Sequence, residues 1–469
     1  MTGSLMKKAF RVMRHVSVLS VLLLIACAPV PQVAVSKSAM TADRLSDASG
    51  PVLAFAPARG LPSHRPNDQI AEDFIDLEFH MESGLALPVL TRFEGPITVS
   101  LTGAVPPSAP AELAKLITRL QAEAGIDLHQ VGAASAAAVT IQFVPKAALQ
   151  RLEPSAACFV APNVSSLAEY RANRGSATLD WQQMTRRTRV AIFMPSDTSP
   201  QEVRDCLHEE TAQALGPLND LYRLPDSVFN DDNFQSVLTG FDMLMLRLHY
   251  ATELTTGMSE AEVAARLPAL VARLNPSGQY PGGWSAADTP RVWIDAVDTA
   301  LGPRSNDGAR IAAAQRMLAI AEAQGWRDNR LGFAWFALGR LQAKHDPVAA
   351  ERSYSAAARI YERLPDDGVH LSHALMQLSA IALASGRAEQ AITYCDRALP
   401  LAQRGQNAAL LASLMMIKSE SLRLLGRDAE AMALRLDSLP AARYGFGDEQ
   451  AVRARAAEIA SLALRGRNG

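Results

Sequence analysis

The residues best suited to chemistry lie in one stretch, Cys206-Leu207-His208-Glu209-Glu210-Thr211-Ala212-Gln213-Ala214-Leu215-Gly216-Pro217-Leu218-Asn219-Asp220. Glu209 and Glu210 are adjacent carboxylates, Gln213 lies about one helical turn beyond Glu209, and Asn219 and Asp220 follow a Gly-Pro step. Zinc accepts carboxylate oxygen and harder cations prefer it, so Glu209 and Asp220 are candidate metal ligands, whereas the amide of Gln213 is a poor third partner. On a helical period Val203, Leu207, Thr211, Ala214 and Leu215 share one side, and Cys206, Glu209, Glu210 and Gln213 another. From this helix alone, the polar side is expected to face water.

The chain that must position these residues has 469 of them, more than one ordinary core accommodates, and two domains or more are expected. A formal charge of -2 provides no basic field for a phosphate backbone, so nucleic acid is not an expected partner. At the start, Lys7, Lys8, Arg11 and Arg14 precede an apolar run from Val16 to Ala26, which is too short for a stable spanning helix and has the order of a signal peptide. Leu24-Ile25-Ala26-Cys27 resembles the bacterial lipobox, which implies acylation of Cys27 and a leader over 1–27. Ala28 rather than Asp in the next position implies sorting to the outer membrane, facing the periplasm. The Ala-, Pro-, Ser- and Val-rich stretch 28–65 is expected to be a tether. Export places the remaining cysteines in an oxidising compartment, where Cys158 and Cys206 are the plausible disulfide pair.

A first domain is expected over 66–275. Asn67 to Phe79 has the pattern of a short helix entering a strand. Ile97-Thr98-Val99-Ser100-Leu101, Val139 to Val144 and Arg189 to Met194 have the β-branched or apolar content of strands, and Pro107 to Ala124 has helical spacing at Leu113, Leu116, Ile117 and Leu120. With a helix from Pro200 to Leu215, this order defines an α/β layer.

It is also the order of the first half of a metzincin peptidase, whose zinc helix has the pattern H-E-x-x-H-x-x-G-x-x-H. Aligned on Ala214-Leu215-Gly216, the Cys206–Asp220 stretch resembles that frame. Glu209 and Gln213 then stand at the paired histidines, Glu210 at the base and Asn219 at the third ligand. Pro225-Asp226-Ser227-Val228-Phe229-Asn230 falls at the Met-turn, with Phe229 in place of methionine, and Leu238 to Tyr250 resembles the final helix of matrixin-type metzincins. The resemblance implies a metzincin-like α/β fold, a mixed sheet plus an active-site helix. It also implies a degenerate pseudo-peptidase: the remnant site Glu209, Glu210, Gln213, Asn219 and Asp220 lacks the histidines, so no zinc or other cofactor is expected. A frame on His208-Glu209 puts Ala212 at the second ligand and fails. Two alternatives stay open. Glu209 and Asp220 hold a metal with Glu210 as catalytic base, or Glu210 and Gln213 are buried structural groups that bond the Asn219–Asp220 turn. The same domain resembles, more closely, an uncharacterised family of bacterial secreted proteins and lipoproteins, from Asn67-Asp68 through Arg92-Phe93-Glu94-Gly95-Pro96 and Glu209-Glu210 to Gly257-Met258-Ser259-Glu260-Ala261-Glu262.

After a Pro/Gly-rich linker over 276–289, residues 290–469 turn to Ala, Leu, Arg and Glu. Ser385-Gly386-Arg387-Ala388-Glu389-Gln390-Ala391 recurs as Leu425-Gly426-Arg427-Asp428-Ala429-Glu430-Ala431. With Trp335, Leu338 and Gly339 on one helix and Ala350, Tyr354 and Ala357 on the next, this resembles a tetratricopeptide (TPR)-like helical repeat, an all-α second domain. Cys395 takes the position of Tyr354 one unit later and is expected to be a buried thiol. His370 and His373 are expected at a solvated helix start. The combined expectation is an envelope lipoprotein, membrane-bound through its lipid, with a non-catalytic zincin-like domain and helical repeats that bind an envelope protein or peptide.

Overall fold

Parallel strands buried on both faces need near-continuous apolar sequence, and Val190–Pro195 has it, with every residue buried. In the structure, a computed structural model, this segment (β5) lies inside a five-stranded sheet. Residues 53, 55, 65–154, 156–281, 288–302, 305–364 and 368–468 are described. The leader, Cys27 and most of the tether lie outside the described residues, as do 282–287 of the linker.

The chain enters through α1 (Asn67–Phe79), which is helical throughout rather than a helix entering a strand: Ile70, Phe74 and Leu77 recur at helical spacing and are fully buried. Then follow β1 (Ile97–Gly103), α2 (Ala109–Arg119), β2 (Leu128–Gln130), β3 (Val139–Val144), α3 (Lys146–Gln150), β4 (Phe159–Pro162), α4 (Leu167–Ala172), β5, and α5 (Pro200–Leu215). The sheet order is β2-β1-β3-β5-β4. β2, β1, β3 and β5 pair in parallel, with Ile141 opposite Leu101 on one side and Ile192 on the other; β4 runs antiparallel to β5 at the edge. β2 and β4 were not legible as strands, being three and four residues long.

The sequence chooses where α5 starts. Ser199 accepts a hydrogen bond from the Glu202 amide, and Pro200 occupies the first turn, where its missing N–H costs nothing. Cys158, just before β4, is bonded to Cys206 on α5, as expected, with Cα atoms 6.1 Å apart. The bond joins the edge of the sheet to the site helix. α6 (Gly240–His249) starts at a reciprocal cap: Thr239 accepts from the Asp242 amide, and Asp242 accepts from the Thr239 amide. α7 (Glu260–Ala264) and α8 (Leu267–Leu274) complete this half, and α8 packs against α1.

The second half is helical: α9 (Arg291–Leu301), α10 (Asp307–Ala323), α11 (Asn329–Gln342), α12 (Pro347–Tyr361), α13 (Val369–Ala384), α14 (Ala388–Arg404), α15 (Ala408–Leu424), α16 (Asp428–Asp437), α17 (Leu439–Phe446) and α18 (Glu449–Asn468). Small residues admit close packing. A Cβ on Gly332 would sit 2.4 Å from the Tyr361 ring, and one on Gly339 3.1 Å from the Tyr354 ring. The repeated Gly-Arg step is a repeated helix end. Gly386 and Gly426 have φ of 71° and 72°, and the next amides, of Arg387 and Arg427, each donate to the carbonyl five residues back. Cys395 is a buried free thiol, with burial pushing its pKa up to about 12.

The two halves share a core. Tyr222 and Phe234, from the loops that follow α5, are buried with Trp293, Phe333 and Phe336 of the helical half. Phe234 meets Phe336 and His370 edge to face or tilted, with centroids 5.0 and 4.8 Å apart. His370 is therefore not at a solvated helix start: it is fully buried, its Nε2 2.9 Å from Asp232 Oδ2. His373 is packed against Phe234 as well, and burial lowers its pKa to about 4, leaving the ring neutral. At α5, Arg204 Nη1 donates to the Gln406 carbonyl at 2.8 Å, and Gln201 Oε1 accepts from the Ala409 amide at 2.8 Å, adding a second cap to α15.

Candidate functional site

The end of α5 is unusually well closed. Arg187, in the loop before β5, donates through Nη1 to the carbonyls of Gln213 and Ala214 at 2.7 and 2.8 Å, and through Nη2 to that of Gly216. Tyr250 Oη donates to the Leu215 carbonyl at 2.9 Å. A guanidinium at a helix C-terminus satisfies orphan carbonyls and opposes the negative end of the helix dipole. Gly216 is small for a packing reason: a Cβ there would lie 3.2 Å from the ring of His249, which is itself buried 2.9 Å from Glu78 Oε1.

Beyond Gly216 the chain runs along the end of α1. The Leu218 amide donates to the Leu77 carbonyl at 3.1 Å, and Asn219 Nδ2 to that of Asp76 at 2.9 Å. Asn219 therefore closes the C-terminus of α1. Arg223 adds ion pairs to Asp73 and Asp76 at 3.0 and 2.5 Å. Phe229 is fully buried, and its loop is held by Asp242, which accepts from the Ser227 hydroxyl at 2.5 Å and the Val228 amide at 3.2 Å. Burial raises the Asp242 pKa to about 6 against the opposing effect of these bonds.

The polar side of α5 does not face open water. Cys206 is in the disulfide, Glu210 is 4% exposed, and Glu209 and Gln213 are half-buried. Gln213 Nε2 donates to Asp220 Oδ2 at 3.4 Å. Asp220 in turn meets two residues remote from it in the helical pattern, Glu82 in the turn after α1 and Asp231 in the loop before α6. One carboxylate oxygen from each of Glu82, Asp220 and Asp231 lies within 4.8 Å of the others. Desolvation, reinforced by the charges of Asp231 and Glu82, pushes Glu209 up to about 8, and desolvation with Glu82 beside it pushes Asp231 up to about 7. Glu210 and Asp220 are raised well above the usual carboxylate range, first by burial and then by Glu209 and Glu82 around the one and Glu82, Asp231 and Glu209 around the other. Among the described residues no Lys or Arg pairs with any of these five carboxylates.

The histidines of this region do not stand at the metzincin ligand positions. His208 is buried, with Nδ1 accepting from the Leu238 amide at 3.1 Å, and burial holds its pKa well below the ordinary value, so the ring is a neutral acceptor. Of the expected site residues, the structure brings together Glu209, Glu210, Gln213 and Asp220, and it turns Asn219 away to α1. Glu82 and Asp231 could be found only through the fold, although Asn230-Asp231-Asp232-Asn233 is a conspicuously acidic, turn-forming run.

The class of protein is thus a mixed α/β domain with a five-stranded sheet, followed by a helical region. Residues 67–269 match the family described as protein of unknown function (DUF2927), over nearly the span in which the sequence resembles an uncharacterised family. A search of curated proteins finds no match.

Proposed function

We propose that this is a lipid-anchored protein of the bacterial envelope, held through Cys27 in the outer membrane and facing the periplasm. Its first half is a metzincin-like domain that does not act as a zinc peptidase, and its TPR-like helical half docks an envelope protein or peptide. The observation that carries the reading is the set of residues at the metzincin positions. Glu209, Gln213 and Asn219 replace the ligands, Asn219 is spent on α1, His208 Nδ1 accepts from the Leu238 amide, and His249, on α6, is buried beside Glu78. Zinc chemistry at such a helix rests on imidazoles at the ligand positions, and Glu209, Gln213 and Asn219 supply none. The order of sheet strands and α5, and the burial of the loop that carries Phe229, support the metzincin-like frame. The glycine-to-tyrosine packing of α11 on α12 supports the TPR-like reading.

The test is metal analysis and peptide cleavage on protein purified without chelators. Substoichiometric zinc and no cleavage are expected; one zinc per chain, with cleavage lost in Glu210→Gln, overturns the proposal. Cys27→Ser should release the protein from the membrane fraction, and retention there would remove the lipid anchor from the picture. A metal-dependent hydrolase with Glu209 and Asp220 as ligands and Glu210 as base is the second reading, favoured by one observation, the convergence of Asp220 with two further carboxylates.

A further inference from the structure

We propose that Glu82, Asp220 and Asp231 form a binding site for a hard divalent cation, calcium being the best chemical match, beside the place where a metzincin holds zinc. The three carboxylates come from three separate segments, the turn after α1, the loop after α5 and the loop before α6, and their ligand atoms lie within 4.8 Å of one another. Convergence of acidic groups is common without an ion, and a second feature distinguishes this one. Glu210 is 4% exposed, its Oε2 has no hydrogen-bond partner, and the charges it feels most are those of Glu209 and Glu82. Asp220 Oδ1 is likewise shut away from solvent without a donor. An unpaired carboxylate taken out of water is costly, and here Glu210 has Glu209 and Glu82 around it and Asp220 has Glu82, Asp231 and Glu209. A bound cation supplies the missing positive charge.

The donor set selects the ion. It is all oxygen, carried by loops and partly open to solvent, which suits a cation that accepts six to eight oxygens in irregular geometry; magnesium prefers a tighter octahedron with retained water, and zinc prefers nitrogen or sulfur. The site also has a structural reach that a zinc centre on α5 alone would lack. Asp231 is followed by Asp232 and Phe234, which are buried against His370 and Phe336. An ion on Asp231 therefore braces the loop through which the two halves are joined.

The experiment uses the full chain in detergent, stripped with chelator and then titrated with calcium, magnesium, manganese or zinc chloride, following heat release and the melting temperature. Saturable binding of about one calcium per chain is expected, with a rise in melting temperature. Asp220→Asn, Asp231→Asn and the more exposed Glu82→Gln should each weaken calcium binding by at least about tenfold. Asp307→Asn, an exposed control on α10, should leave it unchanged. Circular dichroism of each stripped variant identifies any that fails to fold, and Glu82→Gln, at the surface, keeps the test decisive if the others do. No saturable binding of calcium, magnesium or manganese, or binding that survives Glu82→Gln and Asp231→Asn, overturns the site. So does a stripped Asp220→Asn chain that is stabilised while the parent binds nothing, because the cluster is then a set of protonated acids. Calcium binding and zinc-dependent cleavage are read separately, so either this site or the non-peptidase proposal can fail without the other.

Discussion

Asp242 shows how one buried side chain sets a pH dependence. Its pKa is about 6 in the folded protein, above the ordinary value of 3.8, so between roughly pH 4 and 6 the folded state binds more protons than the unfolded one. Stability from this group is fully present below about pH 4 and is lost as pH rises through about 6, a difference on the order of 2–3 kcal/mol. Asp242→Asn should flatten that limb of a plot of urea midpoint against pH while keeping the cap on α6; an unchanged slope would assign it to other groups. Arg187 belongs to the same scale. Replacing it by Met leaves the carbonyls of Gln213, Ala214 and Gly216 without their donor, and a loss of about 3 kcal/mol is expected in denaturant titration. A loss below about 1 kcal/mol would mean that water closes the end of α5 as well as the guanidinium does.

Among the elements, α5 and β4 are tied by Cys158–Cys206, which closes a long loop of chain. Reduction, or the paired change Cys158→Ser and Cys206→Ser, should cost about 2–4 kcal/mol, read as a shift of the thermal midpoint with and without reductant. The elements were largely legible where period and length agreed. β3 and β5 carry the apolar content of central parallel strands, α5 has its Ser-Pro start, and the Gly-Arg steps repeat forty residues apart. The short edge strands were not, because three or four residues hold no readable period and are made strands by their neighbours. The site was half legible for a related reason. Glu209, Glu210, Gln213 and Asp220 are close in sequence, whereas Glu82 and Asp231 reach them only once α1 and the loop before α6 have folded against α5. The polar face of α5 looked solvated because a helical wheel cannot show what is laid over it. His370 looked solvated because its partners, Asp232 and Phe234, come from the other half of the chain.

At the scale of the molecule, the break in composition after residue 275 does not divide the packing. Phe234→Ala removes a ring held by Phe333, Phe336, Tyr361 and two histidines, and a loss of about 3–5 kcal/mol is expected. Because that ring lies between the halves, calorimetry of the variant should show the single transition broadening or dividing; one sharp transition, merely lower, would place the cooperativity in other contacts such as Arg204 with Gln406.

Leu53 donates its amide to the Pro440 carbonyl, and the ring of Phe55 packs edge to face on Tyr444, so the earliest described residues are seated on α17, almost at the opposite end of the chain. A chain delivered N-terminus first cannot make these contacts until α17 arrives. Tyr222 and Phe234 wait for the rings of α9 to α13, Gln201 for α15, and Phe55 longest, for Tyr444 of α17. Completion of the first half therefore waits for α15 and α17, and the interval before they arrive is when the protein has most need of a chaperone.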